Sequence, residues 1–299
     1  MRSSHIETVK RIIKNIETDY PFSKLTTFKT GGPAKILANV NNINELKELM
    51  KFIKDEEISF FLLGKGSNVL VSDKGFDGVV IRLQGEFINI EYNDNIITAG
   101  AGAELIKLSS DTAKRELSGL EWACGIPGTI GGAVYMNAGA YGSNISDAIK
   151  EIKVLNEDLN IETVGKDEVK WSYRKGLCDS RIIITTIFTF LHKNLDIINK
   201  SIYNHKAFRV KNQPKGFSAG SVFKNPEGEK AYSLIIDSGL ADERVGDAYV
   251  SEKHANFVMN AGNASSKDIY LLIERIRHIV YEKYGIELET EIKFVGKFN

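Results

Sequence analysis

Residues 124–142 read CGIPGTIGGAVYMNAGAYG and hold six of the chain's 26 glycines in nineteen positions; a second glycine-rich stretch, GKGSN, occupies 64–68. Glycine at this density is costly in backbone entropy, so it points to positive φ angles or to something approaching the main chain closely. Both stretches follow apolar segments directly. Successive small residues turn several backbone N–H groups into one concavity, and a helix starting near Thr129 adds free amides and its positive end, an arrangement suited to a pyrophosphate. For either loop alone, an ordinary tight turn is the competing explanation. A P-loop is excluded because Ser59 stands where the first glycine of GxxxxGK[ST] belongs. GAGAEL at 100–105 sits between a strand and a helix as a dinucleotide fingerprint should, but Leu105 replaces its third glycine, and a helix-entry turn explains it equally well.

Metal and thiol chemistry find little support. Cys124 and Cys178 form no CxxC, and His5, His192, His205, His254 and His278 show no ligand spacing, so no bound metal is expected. Cys178 reads as a small core residue. Cys124 reads as packing rather than a reactive thiol or covalent cofactor anchor, since no neighbouring charge in the sequence lowers its pKa.

The elements that must position these loops follow from periodicity. Ile6, Val9, Ile12, Ile13 and Ile16 predict an N-terminal helix running to the Tyr20-Pro21 break, and Asn42 caps a helix carrying Ile43, Leu46, Leu49, Met50 and Ile53. SFFLLG predicts a buried strand; FINIEY and NIITAG, then IKEIKVLN and LNIETV, predict two hairpins, and RIIITTIFTF a strand buried on both faces. Residues 103–117 predict another helix. Beyond a composition change near 200 come the helix AYSLIIDSGL, short strands around AYV and NFVMN, and a long helix from about Ser265 to Tyr284 with Gly285 as its stop. The terminal IELETEIKF predicts a strand with Glu287, Glu289, Glu291 and Lys293 on one face.

At 299 residues the chain is long enough for several domains without disulfide or metal staples. Lysine plus arginine and aspartate plus glutamate each total 39, leaving no net charge to drive attachment to nucleic acid or to an anionic membrane. The first twenty residues are too interrupted by charge for a signal peptide, and IIITTIFTFL is about half a bilayer span, so a cytoplasmic location is the expectation.

TTFKTGGPA (26–34), LLGKGSNVLVSDKGFDG (62–78), GLEWACGIPGTIGGAVYMNAGAYG (119–142), SYRKG (172–176), SAGSVFKNP (218–226), HANF (254–257) and LETE (288–291) together resemble, in order, the motif series of the UDP-N-acetylenolpyruvoylglucosamine reductase family. The resemblance implies an α+β protein with a vanillyl-alcohol-oxidase-type FAD-binding domain over 1–200, in subdomains of about 1–85 and 86–200. It also implies a C-terminal α+β substrate-binding domain over 201–299, whose last strand, 286–295, returns to the active site. It implies non-covalent FAD, NADPH as co-substrate and a UDP-sugar enolpyruvyl ether as the small-molecule substrate. The opening glycines then exist to let isoalloxazine and diphosphate lie on main chain. The family's longer subtype has an extra tyrosine-bearing loop, for which there is no room between Ser180 and Lys215, so this chain resembles the short subtype.

Carried over residue by residue, cofactor contacts fall on Gly64, Lys65, Gly66, Ser67, Asn68, Gly125, Ile126, Pro127, Gly128, Thr129, Gly131, Gly132, Asn137, Ala138 and Gly139. Hydride addition beside a carboxylate leaves an enolate-like dianion, which demands a cation or strong donor at the carboxyl group and an acid at the adjacent carbon. Arg174 matches the carboxylate-binding arginine, Ser221 the proton donor and Glu291 the partner polarising the carboxyl end. Tyr173, Arg209, Lys224, Asn225, His254 and Asn256 fall on the substrate region, with Arg209, Lys224 and Asn225 gripping the diphosphate. Without the resemblance, Arg174 reads as a surface arginine, Ser221 as a turn residue and Glu291 as a solvated charge. Two other readings fit the glycine loops: an FAD-dependent alcohol or hydroxy-acid oxidase or dehydrogenase of the same fold, and a nucleotide-binding module without chemistry.

Overall fold

The computed structural model describes residues 1–298 and resolves the chain into two compact units. The first comprises Met1–Ile16, Ala38–Gly64 and Ile81–Arg209; the second comprises Glu17–Leu37, Lys65–Val80 and the chain from Val210 on. The strands Pro33–Val40 and Phe76–Leu83 contribute residues to both.

Seven helices are present among the described residues: α1 Ser3–Ile12, α2 Ile43–Asp55, α3 Leu105–Lys114, α4 Ile130–Met136, α5 Leu195–Asn212, α6 Ala231–Asp237 and α7 Ser266–Tyr284. Helix α2 forms where its pattern requires: the Asn42 side chain accepts from Glu45 N at 3.0 Å, and Leu46, Leu49 and Ile53 are buried. Helix α1 is shorter than predicted. Ile13 is already extended, and Ile16–Pro21 is a strand, so the helical spacing through Ile16 was partly coincidental.

The first unit is built on a five-stranded antiparallel sheet in the order Ile161–Gly165, Ile149–Leu155, Ile182–Thr189, Ile96–Gly100, Ile90–Asn93. Both predicted hairpins are there, and six of the eight residues of Ile182–Thr189 are buried, as a central strand covered on both faces requires. Helix α4 packs on this strand and carries the glycine segment with it. The predicted buried strand SFFLLG is reduced to Phe60–Leu62, with Phe60 exposed and only Leu63 in the core.

In the second unit, α7 and α6 enclose a core that includes Phe28, Leu70, Val222, Phe223, Leu234, Ile235, Leu272 and Ile276. Ser265 and Asp268 form the predicted capping box at the start of α7, and Gly285 closes it at φ 66°. The terminal strand is far shorter than predicted: only Lys293–Val295 pairs, in parallel, with Val69–Val71, and an isolated bridge joins Thr290 to Phe223. Leu288 and Ile292 are buried, so the alternation was real although it did not make one continuous strand. Among the described residues no helix is long and apolar enough to cross a membrane, and no cluster of metal-ligating side chains occurs.

Candidate functional site

In the first unit, the two glycine-rich stretches meet at Thr129. A Cβ added to Gly64 would lie 2.6 Å from Thr129 Oγ1, and one added to Gly132 would meet only that oxygen, at 3.3 Å. The hydroxyl caps α4 by accepting from Gly132 N at 3.2 Å. The expectation of free helix amides is corrected here: Ile130 N donates to Ala103 O and Gly131 N to Ala101 O, both at 2.8 Å. The turn 101–103 has taken the donors that a phosphate would need, because the α4 entrance lies along it.

The glycines themselves answer to several neighbours. A Cβ on Gly131 would stand 3.0 Å from that of Ala101, and on Gly139 2.2 Å from Asn144 Oδ1. One on Gly125 would stand 2.8 Å from Arg209 Nε. Gly66 lies against the Leu25 backbone, where a Cβ would come 2.3 Å from the carbonyl oxygen. Much of the glycine density, Gly64 against the Thr129 side chain included, therefore serves protein-to-protein approach. Other predicted cofactor residues are spent on the loop itself: Ile126 N donates to Ala123 O, Gly128 O accepts from Leu105 N, and Ala138 N donates to Ala133 O.

One feature nevertheless fits a flavin dinucleotide. Asn137, left-handed at φ 43° and 4% exposed, keeps a buried Oδ1 with no hydrogen-bond partner among the described residues. An unspent buried acceptor is costly unless a donor arrives, and a ring N–H is such a donor.

The other half of the Asn137 amide positions Arg174. Nδ2 donates to Ser172 O at 3.1 Å, and Gly176 N donates to Tyr135 O at 3.0 Å, fastening SYRKG to the end of α4 from both sides. Within it, Ser172 and Lys175 exchange backbone hydrogen bonds of 2.9 and 3.1 Å, and Arg174 sits at the tip with φ 57° and its guanidinium 5.0 Å from the Tyr173 ring centroid. Tyr173 is 49% exposed. Arg174 is half-buried on a strained turn rather than a free surface arginine.

Arg209, expected at the substrate diphosphate, lies on α5 with its side chain over Gly125. Tyr141 completes this corner: its ring stacks on His205 at 4.2 Å and meets Phe208 edge-on at 5.5 Å, and its hydroxyl donates to His205 O at 3.3 Å. Burial pushes the Tyr141 hydroxyl up in pKa and Arg209 opposes it; burial likewise lowers His205. Cys124 does have the cationic neighbours the sequence hid, Lys206 and Arg209, but burial outweighs them and its thiol is pushed up, which disfavours a reactive thiolate. Sequence reasoning missed Tyr141 and His205, which stand 64 positions apart and share no motif.

In the second unit, the segment after Ser221 runs between two others. On one side Glu291 N donates to Val222 O at 2.7 Å and Lys224 N to Glu289 O at 2.9 Å; on the other, Val222 N donates to Asn256 O at 2.8 Å. Ser221 and Glu291, 70 positions apart in sequence (291 − 221), are thereby held to either side of one backbone hydrogen bond. Asn68, expected on the cofactor, supports the same strand: its Nδ2 donates to Glu291 O at 3.1 Å and its carbonyl accepts from Lys293 N at 2.9 Å. Lys65 and Ser67 lie in the same loop. Lys224 pairs with the exposed Glu289 at 2.5 Å, and Asn225 Oδ1 accepts from Ala231 N at 3.1 Å, bracing the start of α6.

His254 stands edge-on to Tyr232 and Phe257 at 5.0 and 4.9 Å, and its Nδ1 is shut from solvent without a partner among the described residues. Burial lowers its pKa, so the folded protein holds it neutral. The unfolded chain takes up this proton near pH ~6.5. The stabilisation is therefore complete above that value and lost as pH falls through the lower folded-state pKa. Urea melts of His254→Gln are expected to show a smaller loss of stability between about pH 7 and pH 5 than those of the native protein.

Comparison with known proteins gives the family. The FAD binding domain family matches residues 34–165, and the UDP-N-acetylenolpyruvoylglucosamine reductase C-terminal domain family matches 213–295. The reductase of that name from Caldanaerobacter subterraneus subsp. tengcongensis is 41% identical over 98% of both chains. That from Caldicellulosiruptor saccharolyticus is 43% identical, over 95% of this chain and 94% of its own. The crystal structure of UDP-N-acetylenolpyruvylglucosamine reductase from Thermus caldophilus superposes with a TM-score of 0.82 at 35% identity, covering 94% of this chain and 98% of that one. A glucose dehydrogenase shares the fold alone, with a TM-score of 0.50 at 10% identity over 64% of this chain and 45% of that one. The molecule is an α+β flavoprotein oxidoreductase, with an FAD-binding domain followed by a C-terminal domain. Within that class, the chain belongs to the UDP-N-acetylenolpyruvoylglucosamine reductase family.

Proposed function

We propose that this protein reduces the enolpyruvyl group of UDP-N-acetylglucosamine enolpyruvate to give UDP-N-acetylmuramate for peptidoglycan, with NADPH as reductant, and that it works in the cytoplasm. The chemistry that bound FAD would supply is hydride transfer, from NADPH to the terminal carbon of the enolpyruvyl ether. Gly64, Thr129 and Gly132 would lend main chain to hold the cofactor, and Asn137 Oδ1 would accept from a ring N–H.

The substrate chemistry then falls to three side chains. Arg174 grips the carboxylate with its planar fork and stabilises the charge that hydride addition places there. Ser221 gives its hydroxyl proton to the adjacent carbon as general acid. Glu291 polarises the carboxyl end. The remaining residues of the substrate region, Tyr173, Lys224 and His254, bind and orient the sugar nucleotide. Asn225 and Asn256 act from behind, through the segments they brace. The observation that supports this reading is the hydrogen bond from Glu291 N to Val222 O, which ties Glu291 to the residue that follows Ser221.

The purified protein is expected to be yellow, to bleach with NADPH under anaerobic conditions and to regain its flavin absorbance when the enolpyruvyl sugar nucleotide is added. Bleaching by an alcohol or hydroxy acid with indifference to NADPH would replace this reading with the oxidase. A colourless protein that binds UDP-sugars would replace it with a binding module.

A further inference from the structure

Asn256 lies two residues beyond His254 in HANF and is 4% exposed. Its side chain is committed to one neighbour: Oδ1 accepts from Phe223 N at 2.9 Å and Nδ2 donates to Phe223 O at 2.8 Å. Its own carbonyl accepts from Val222 N at 2.8 Å. One residue thus makes three hydrogen bonds to two consecutive residues, and the side-chain amide imitates the missing partner strand of a ladder. A group so buried and so occupied does not reach a ligand.

The position of this clamp decides what it controls. On its far side Ser221 follows Gly220, which has φ 77° and open space where a Cβ would stand, so residue 220 offers no side-chain packing to brace it. On its near side Val222 and Phe223 are fully enclosed, and Val222 O holds Glu291 N at 2.7 Å. The direction of Ser221 is therefore set from the Asn256 side, and the same bond network sets the backbone of Glu291.

We propose that Asn256 is the positioning residue of the proton-transfer step, holding the Ser221 hydroxyl and the Glu291 strand in register by clamping Phe223. This rests on the assignment of Ser221 as proton donor made above. Residues so placed matter because displacement of a reacting group by about 1 Å costs on the order of 100-fold in rate.

Asn256→Asp is the informative variant. It keeps the size and the acceptor for Phe223 N, but turns a second acceptor towards Phe223 O. Anaerobic stopped-flow of the flavin-loaded protein is expected to show NADPH bleaching unchanged, and re-oxidation by the enolpyruvyl substrate slowed roughly 10- to 100-fold with little change in KM. The solvent deuterium isotope effect on re-oxidation should grow, because a misaligned donor makes proton transfer limiting. Asn256→Ser, smaller and uncharged, should show the same pattern more weakly and serves if the aspartate variant does not fold. Equal slowing of both half-reactions, or unchanged re-oxidation in a folded variant, would overturn the proposal by reducing Asn256 to a packing residue.

The double variant Ser221→Ala/Asn256→Asp separates the two assignments. If Asn256 acts through the serine, the pair is no slower in re-oxidation than Ser221→Ala alone. Fully multiplied effects would sink the positioning role. Rapid re-oxidation by Ser221→Ala itself would instead sink the proton-donor assignment, and the positioning role with it.

Discussion

Ser221→Ala is expected to leave bleaching by NADPH at its native rate and to slow re-oxidation by the enolpyruvyl substrate by roughly 10²- to 10⁴-fold, the span contributed by a positioned general acid. The asymmetry is the point. Reduction by NADPH needs no proton at the substrate carbon, whereas completion of the second half-reaction does. Removing one oxygen from a half-buried serine also leaves its surroundings intact, since Val222 and Phe223 are held through backbone atoms and the Asn256 amide. The melting temperature should therefore stay near the native value, and KM should move little. Rapid-mixing absorbance traces of the two half-reactions decide it: a loss shared equally between them would point to disturbed flavin binding, and no loss would remove Ser221 from the chemistry.

Local structure was legible where local rules decide it. The caps at Asn42 and Ser265, the glycine stop at 285 and the two hairpins are set by residues within a few positions of one another, and all are present. The limits of α1 and of the last strand were not, because both depend on distant partners. Ile16 leaves the helix for a sheet, and the strand expected over 286–295 pairs only where Val69–Val71 and Phe223 reach it. The site shows the same division. Composition marked the glycine loops, but not that Arg209 and Ala101 would occupy much of the space beside them, since those contacts join residues about 84 (209 − 125) and 30 (131 − 101) positions apart. Asn68 and Asn256 carry motif positions, yet sequence alone does not distinguish an asparagine that touches ligand from one that braces a strand. Only their hydrogen-bond partners do.

Gly176→Ala is expected to be among the most damaging single-methyl changes in the first unit. An added Cβ would lie 1.9 Å from Val134 O, 2.8 Å from Trp171 Cζ3 and 3.1 Å from Asn137 N. Two of these three are backbone atoms of the end of α4, which has no rotamer with which to yield. The turn and the helix end must part, and that movement loosens Gly176 N to Tyr135 O and Asn137 Nδ2 to Ser172 O together. Overpacking of this kind costs about 1–3 kcal/mol. At roughly 2–4 °C per kcal/mol for a domain of this size, the melt should fall by about 2–12 °C. Function should suffer separately: with Arg174 displaced, KM for the enolpyruvyl substrate rises and re-oxidation slows, while NADPH bleaching is less affected. Gly142→Ala is the control, because the space there is open and only its φ of 82° opposes a side chain; that strain is about 1–2 kcal/mol and involves no clash with α4. If the two variants melted alike and both kept native KM, the turn bearing Arg174 would not be held by its contact with α4.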